Sequence, residues 1–69
     1  MVRIGIIGVG VMGAGHARFI KEHVPGAQVV ALFDIDTQKI ADLAGELGTV
    51  TVQTTNPETL MNHPDVDAV

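Results

Sequence analysis

The sequence has no cysteine, no tryptophan and no tyrosine, and only two phenylalanines among its 69 residues. Without cysteine there can be no disulfide scaffold and no thiolate zinc site, and the chain suits a reducing, cytoplasmic compartment. Without large aromatics the core must be aliphatic, and a hydrophobic content of 46% is enough to build one. Basic residues are scarce as well. Four Lys and Arg stand against eight Asp and Glu, for a net charge of −4. They form no basic stripe of the kind a nucleic-acid surface needs. A long apolar run is also missing. The uncharged stretch from Ile4 to Gly15 falls short of the roughly 20 residues that span a bilayer. Its glycines at 8, 10 and 13 serve no purpose in a signal peptide. Neither nucleic acid nor membrane is therefore an expected partner. A chain this short makes one small domain at most, and burying only about 60% of its unfolded surface leaves it marginally stable. The final "DAV" looks like the opening of an apolar strand with no cap or turn after it, as in the N-terminal piece of a longer protein.

What is present is a regular alternation. Val2 to Ile7 reads as a short buried strand. From Gly13 the period changes, and Gly13, Ala17, Ile20 and Val24 form one helical stripe, closed by Pro25-Gly26. "QVVALF" from Gln28 to Phe33 reads as a strand buried on both faces, ending on Asp34. Asp36 is placed to cap a second helix that presents Ile40, Leu43, Ala44 and Leu47, with Gly48 as its left-handed stop. "TVTVQ" from Thr49 reads as a third strand, and Asn56-Pro57 opens a short helix to about Asn62. Pro64-Asp65 turns into a fourth strand at the chain's end. The order is β-α-β-α-β-α-β. That is the N-terminal half of a Rossmann-type, doubly wound parallel sheet in the α/β class.

Gly8-Val9-Gly10-Val11-Met12-Gly13 spells G-x-G-x-x-G where the first strand passes into the first helix. The pattern gains weight from this strand–turn–helix setting and from an acid after the next strand. Gly8 permits the tight turn, Gly10 leaves room for a pyrophosphate against the backbone, and Gly13 lets the helix pack close to the sheet. The N–H groups of Val11 and Met12 would face the phosphates at the helix N-terminus. No Gly-Lys-Ser/Thr follows, which excludes a P-loop. Asp34 lies 21 residues beyond Gly13. A carboxylate there would hold both ribose hydroxyls and repel a 2′-phosphate, so NAD is expected over NADP. Ile35 is placed to cover the adenine. Lys39 can reach a phosphate from the second helix, which keeps NADP as the lesser alternative.

The remaining polar residues invite plainer readings. His16 falls off the buried stripe of the first helix, with no Ser or carboxylate near it in sequence, so a surface or packing role outweighs catalysis. His23 and His63 lack metal-ligand spacing, and no metal site is expected. Asp65 and Asp67 read as solvated turn acids around Val66.

Taken in order, "VRIGIIGVGVMGAGHARFI", "VVALFDIDTQKIADLAGELG" and "PETLMNHPDVDAV" resemble the N-terminus of the Gfo/Idh/MocA oxidoreductases, a family that includes glucose–fructose oxidoreductase and inositol 2-dehydrogenase. The resemblance covers nearly the whole chain. It implies a two-domain NAD(P)-dependent dehydrogenase that passes hydride between a sugar, polyol or related hydroxyl and a nicotinamide. Carried over residue by residue, it places Gly8, Gly10, Val11, Met12 and Gly13 at the pyrophosphate, and Asp34 and Ile35 at the adenosine. The family's Glu-Lys-Pro segment and substrate domain would lie beyond Val69, so no catalytic residue is assigned here and the 69 residues alone are expected to be inactive. The alternatives are an NAD-dependent glycosidase-like enzyme, or a non-catalytic Rossmann fragment. The isolated chain is expected to bind dinucleotide weakly or not at all. Its open sheet edge is expected to drive it into a homodimer.

Overall fold

Six elements alternate in the computed structural model, which describes all 69 residues. They are β1 (Val2–Ile7), α1 (Val11–His23), β2 (Ala27–Phe33), α2 (Thr37–Leu47), β3 (Val52–Thr54) and α3 (Pro57–Met61). The strands form one sheet in the order β1-β2-β3, with both pairings parallel. Beyond β1, on the edge away from β2, Ala68 makes a single parallel bridge to Ile4. The expected fourth strand is thus present as one bridge, with Gly5 N–H donating to the Ala68 carbonyl at 2.8 Å. The spatial order is therefore β3-β2-β1 and then the Ala68 segment. That is the expected half of a doubly wound sheet, with the strand order reversing beside β1.

The handedness of parallel crossovers decides which face each helix covers. The connections from β1 to β2 and from β2 to β3 run in one direction, so α1 and α2 share a face. There Ala17, Ile40, Leu43 and Leu47 pack with Val29 and Leu32. The return past β1 puts α3 on the other face, where Leu60 packs with Val30 and Ala31. Leu60 and Leu32 are the largest fully buried side chains. Gly5 adds to this second core by being small. A Cβ built on it would lie 2.7 Å from Cδ2 of Leu60.

β2 carries a bulge. Ile4 pairs with Val29 but Gly5 pairs with Ala31, leaving Val30 as the extra residue. The bulge shifts the alternation, so Val30 and Ala31 both serve the α3 face while Val29 and Leu32 serve the other. β3 starts later than its β-branched run. Thr49 Oγ1 donates to the Val29 carbonyl at 2.6 Å, and Thr51 N–H donates to the Val30 carbonyl at 2.9 Å. The regular ladder begins only at Val52.

The two later helices begin as their sequences dictate. Asp36 accepts from the N–H groups of Gln38 and Lys39, and Asn56 accepts from that of Glu58 ahead of Pro57. Gly48 closes α2 at φ +74°. No helix is long and apolar enough to cross a membrane.

Candidate nucleotide site

The end of β1 and the start of α1 are joined by three residues, Gly8, Val9 and Gly10. Gly8 sits at φ +88°, a conformation that suits glycine and strains other residues. Its N–H donates to the Phe33 carbonyl at 2.9 Å, tying the turn to the end of β2. Val9 dives into the core between α1 and α2. Gly10 is the N-cap of α1 and has no side chain to offer the helix. α1 alone of the three helices therefore starts without a side-chain cap, and its first N–H groups are free for another acceptor.

The glycines differ in what surrounds them. A Cβ on Gly13 would fall 1.8 Å from the Gly8 carbonyl oxygen, so α1 can approach β1 this closely only with glycine there. A Cβ on Gly10 would meet nothing within 4 Å. Gly8 and Gly13 are thus required by the fold, whereas Gly10 borders open space at the helix N-terminus. That open space fits a pyrophosphate lying against the backbone.

Asp34 follows β2 and leans back toward the turn. Its Oδ2 accepts from the Val9 N–H at 2.7 Å and its Oδ1 from the Asp36 N–H at 3.0 Å. The bonds from Asp36 and Val9 hold its carboxyl below the ordinary carboxylate range, helped by the Ile35 N–H and the nearby Lys39 ammonium, against a smaller opposing effect of desolvation. The group is an anion at neutral pH. Around it the surface is apolar and open, with Val11 92%, Ile35 86% and Met12 77% exposed. The structure thus brings Gly8, Gly10, Val11, Met12, Gly13 and Asp34 to the carboxyl end of the sheet, with Ile35 one residue farther along the surface.

Two hollows flank the turn. One, of about 810 Å³, runs along β1 and α1 past Ile4, Ile6, His16, Ile20 and Val69. The other, of about 340 Å³, lies between α1 and α2 and is lined by Gly10, Val11, Lys39 and Asp42. Arg18, which also lines it, is committed to Glu46, with Nη2 donating at 3.1 Å, and Lys21 donates to the Glu46 carbonyl at 2.9 Å. Lys39 therefore faces this groove as the cation nearest Asp34. No three His, Asp or Glu side chains converge in a metal-binding group.

Val9 is the residue that motif reasoning passed over. Its signal was an apolar side chain between two glycines, in a turn that otherwise has little to bury.

A β1–glycine turn–α1 unit, an acid after β2 and a strand order that reverses at β1 define a Rossmann-type nucleotide-binding unit. Known proteins narrow this further. The sequence pattern of the oxidoreductase family Gfo/Idh/MocA, NAD-binding Rossmann fold, matches residues 2–69, and the chain belongs to that family. Over 68 residues it is 43% identical to inositol 2-dehydrogenase 1 of Saccharopolyspora erythraea and 41% identical to inositol 2-dehydrogenase 2 of Paenarthrobacter aurescens. In both cases the match covers 99% of this chain and 20% of the relative. The crystal structure of myo-inositol dehydrogenase from Lactobacillus casei, in complex with NAD(H) and myo-inositol, superposes with a TM-score of 0.88 at 30% identity. That superposition covers 100% of this chain and 21% of the other. The chain thus spans about a fifth of the length of the relatives it matches.

Proposed function

We propose that residues 1–69 are the N-terminal part of the dinucleotide-binding domain of a longer oxidoreductase that acts on a polyol or sugar hydroxyl. The observation that carries this reading is the joining of the glycine turn to Asp34 at the reversal point of the sheet. The likeness to inositol 2-dehydrogenases supports the substrate class. When bound, the nicotinamide supplies the hydride acceptor. In this chain Gly8, Gly10 and Gly13 would shape the turn that receives the pyrophosphate, the N–H groups of Val11 and Met12 would face it, and Asp34 and Ile35 would hold the adenosine. Asp34 favours NAD over NADP, because its anionic carboxylate repels a 2′-phosphate and accepts from ribose hydroxyls. The chemistry falls to residues outside this chain.

The test is amide chemical-shift mapping of the ¹⁵N-labelled chain with NAD⁺ and with NADP⁺. Binding is expected to be weak, at millimolar nucleotide. Shifts should be confined to residues 8–13 and 34–36, and NAD⁺ should produce them at lower concentration than NADP⁺. Shifts that spare the turn and appear only elsewhere would overturn the nucleotide reading. For the longer enzyme, NADH formation with myo-inositol and other polyols checks the substrate class, and failure with all of them would remove it.

A further inference from the structure

The assigned use of an acid after β2 is to receive a ribose. In this structure both oxygens of Asp34 are engaged by the chain's own backbone, one by Val9 N–H at 2.7 Å and the other by Asp36 N–H at 3.0 Å. The Val9 bond crosses from one turn to the other over 25 positions of sequence. It holds the residue between two glycines, where the backbone is otherwise freest to wander. Val9 is itself 4% exposed, so a lost partner would leave its N–H beside the core with little water to replace it.

We propose that Asp34 is a positioning residue that fixes the glycine turn in its nucleotide-ready shape before any cofactor arrives. The charged acceptor makes this bond stronger than a neutral one. A carboxylate offers about four lone-pair sites. These two bonds leave acceptor capacity for a ribose, so holding the turn and receiving the ribose are compatible. The second bond, to Asp36 N–H, aims the carboxylate and ties it to the cap of α2. Lys39 is the charged side chain from α2 that adds to the field on it. The pinning is independent of the nucleotide reading, whereas its value for binding rests on it.

The experiment uses the 69-residue chain with no nucleotide present. In the wild type, the Val9 and Asp36 amide protons should titrate together with Asp34, with a midpoint below the ordinary carboxylate range. In Asp34→Ala and in Asp34→Asn, which has one acceptor oxygen where Asp34 has two, Val9 amide exchange should speed up at least tenfold. Amides of Leu43 and Leu47, deep in α2, should stay protected. Asp34→Glu keeps charge and both acceptors and should recover part of the Val9 protection. A Val9 amide that does not titrate with Asp34, or exchanges within twofold of wild type in Asp34→Ala, would overturn the proposal. If Asp34→Ala loses the fold, the wild-type titration alone decides. Shift mapping with NAD⁺ is a separate measurement, so the pinning and the nucleotide reading can fail independently.

Discussion

The guanidinium of Arg3 grips both carboxylate oxygens of Asp67, 64 positions later, with Nε at 3.2 Å from Oδ2 and Nη2 at 3.1 Å from Oδ1. The main chains join in the same place, where Asp67 N–H donates to the Arg3 carbonyl at 2.7 Å and Arg3 N–H donates to Asp67 Oδ2 at 2.9 Å. Asp65 lends a second, longer contact at 3.6 Å. This clamp sets the returning chain beside β1, and with it the place where the strand order reverses.

Arg3→Ala should loosen that return without unfolding the sheet. The Ala68 amide, which donates to the Arg3 carbonyl, should lose hydrogen-exchange protection while β2 amides keep theirs. The pH dependence carries a sign. The hydrogen bond from the Arg3 side chain holds the Asp67 carboxyl below its ordinary value of 3.8 in the folded chain. The clamp's contribution is whole above that value and fades as pH falls through the lower folded one. Asp34 and Glu46 are depressed in the same direction, so the acid side of the stability curve should flatten in Arg3→Ala but not vanish. Circular dichroism between neutral and acid pH measures this.

Two glycines of one motif should answer substitution in opposite ways. In Gly13→Ala the new methyl would press on the Gly8 carbonyl oxygen, and overpacking of this kind costs about 1–3 kcal/mol or more. Gly10→Ala meets open space at φ −80°, so stability should hold or rise by about 0.4–1 kcal/mol through the unfolded state. Yet Gly10→Ala should lose the NAD⁺-induced shifts, because its methyl projects where the pyrophosphate would lie. Thermal melts and the same shift mapping separate the two effects.

Leu60→Ala should be the costlier change at the back of the sheet. Leu60 is fully buried against Val30 and Ala31, and such truncations cost about 2–5 kcal/mol. In a domain this small that approaches the whole stability. Urea unfolding followed by circular dichroism tests it, and a loss under about 1 kcal/mol would mean that α3 is not a working part of the core.

The chain should also pair with itself. β3 has a neighbour on one side only, and β1 offers Ile4 and Ile6 to an open hollow beyond which lies a single bridge. A second copy covering these surfaces would give a two-fold dimer. Sedimentation should show a concentration-dependent dimer, and a monomer at high concentration would rule it out.

Some of this was legible in the sequence because the signal was local. α2 shows its period through Ile40, Leu43, Ala44 and Leu47, and its ends through Asp36 and Gly48, all within one helix length. The glycine turn announces itself because Gly8 and Gly13 meet a steric demand nearly unique to their residue type. The bulge at Val30 was not legible. "VVAL" is apolar on both faces, so the residues carry no mark of which face each serves, and the phase slip leaves no trace. Asp67 reads as a solvated turn acid because its partner stands at the other end of the chain, and only the fold brings Arg3 to it. Asp34 reads in the sequence as a candidate ligand group and carries no mark of an anchor, since the bond to Val9 depends on how two turns meet.

That bond bears on how such a domain could change over generations. A descendant that came to use a phosphorylated dinucleotide would gain by replacing Asp34 with a small or basic residue. The same replacement would strip Val9 of its acceptor and slacken the turn. If the pinning holds, a change of coenzyme preference made at Asp34 would also be a change in the rigidity of the glycine turn, and a second acceptor beneath Val9 would be needed to keep the turn as it is.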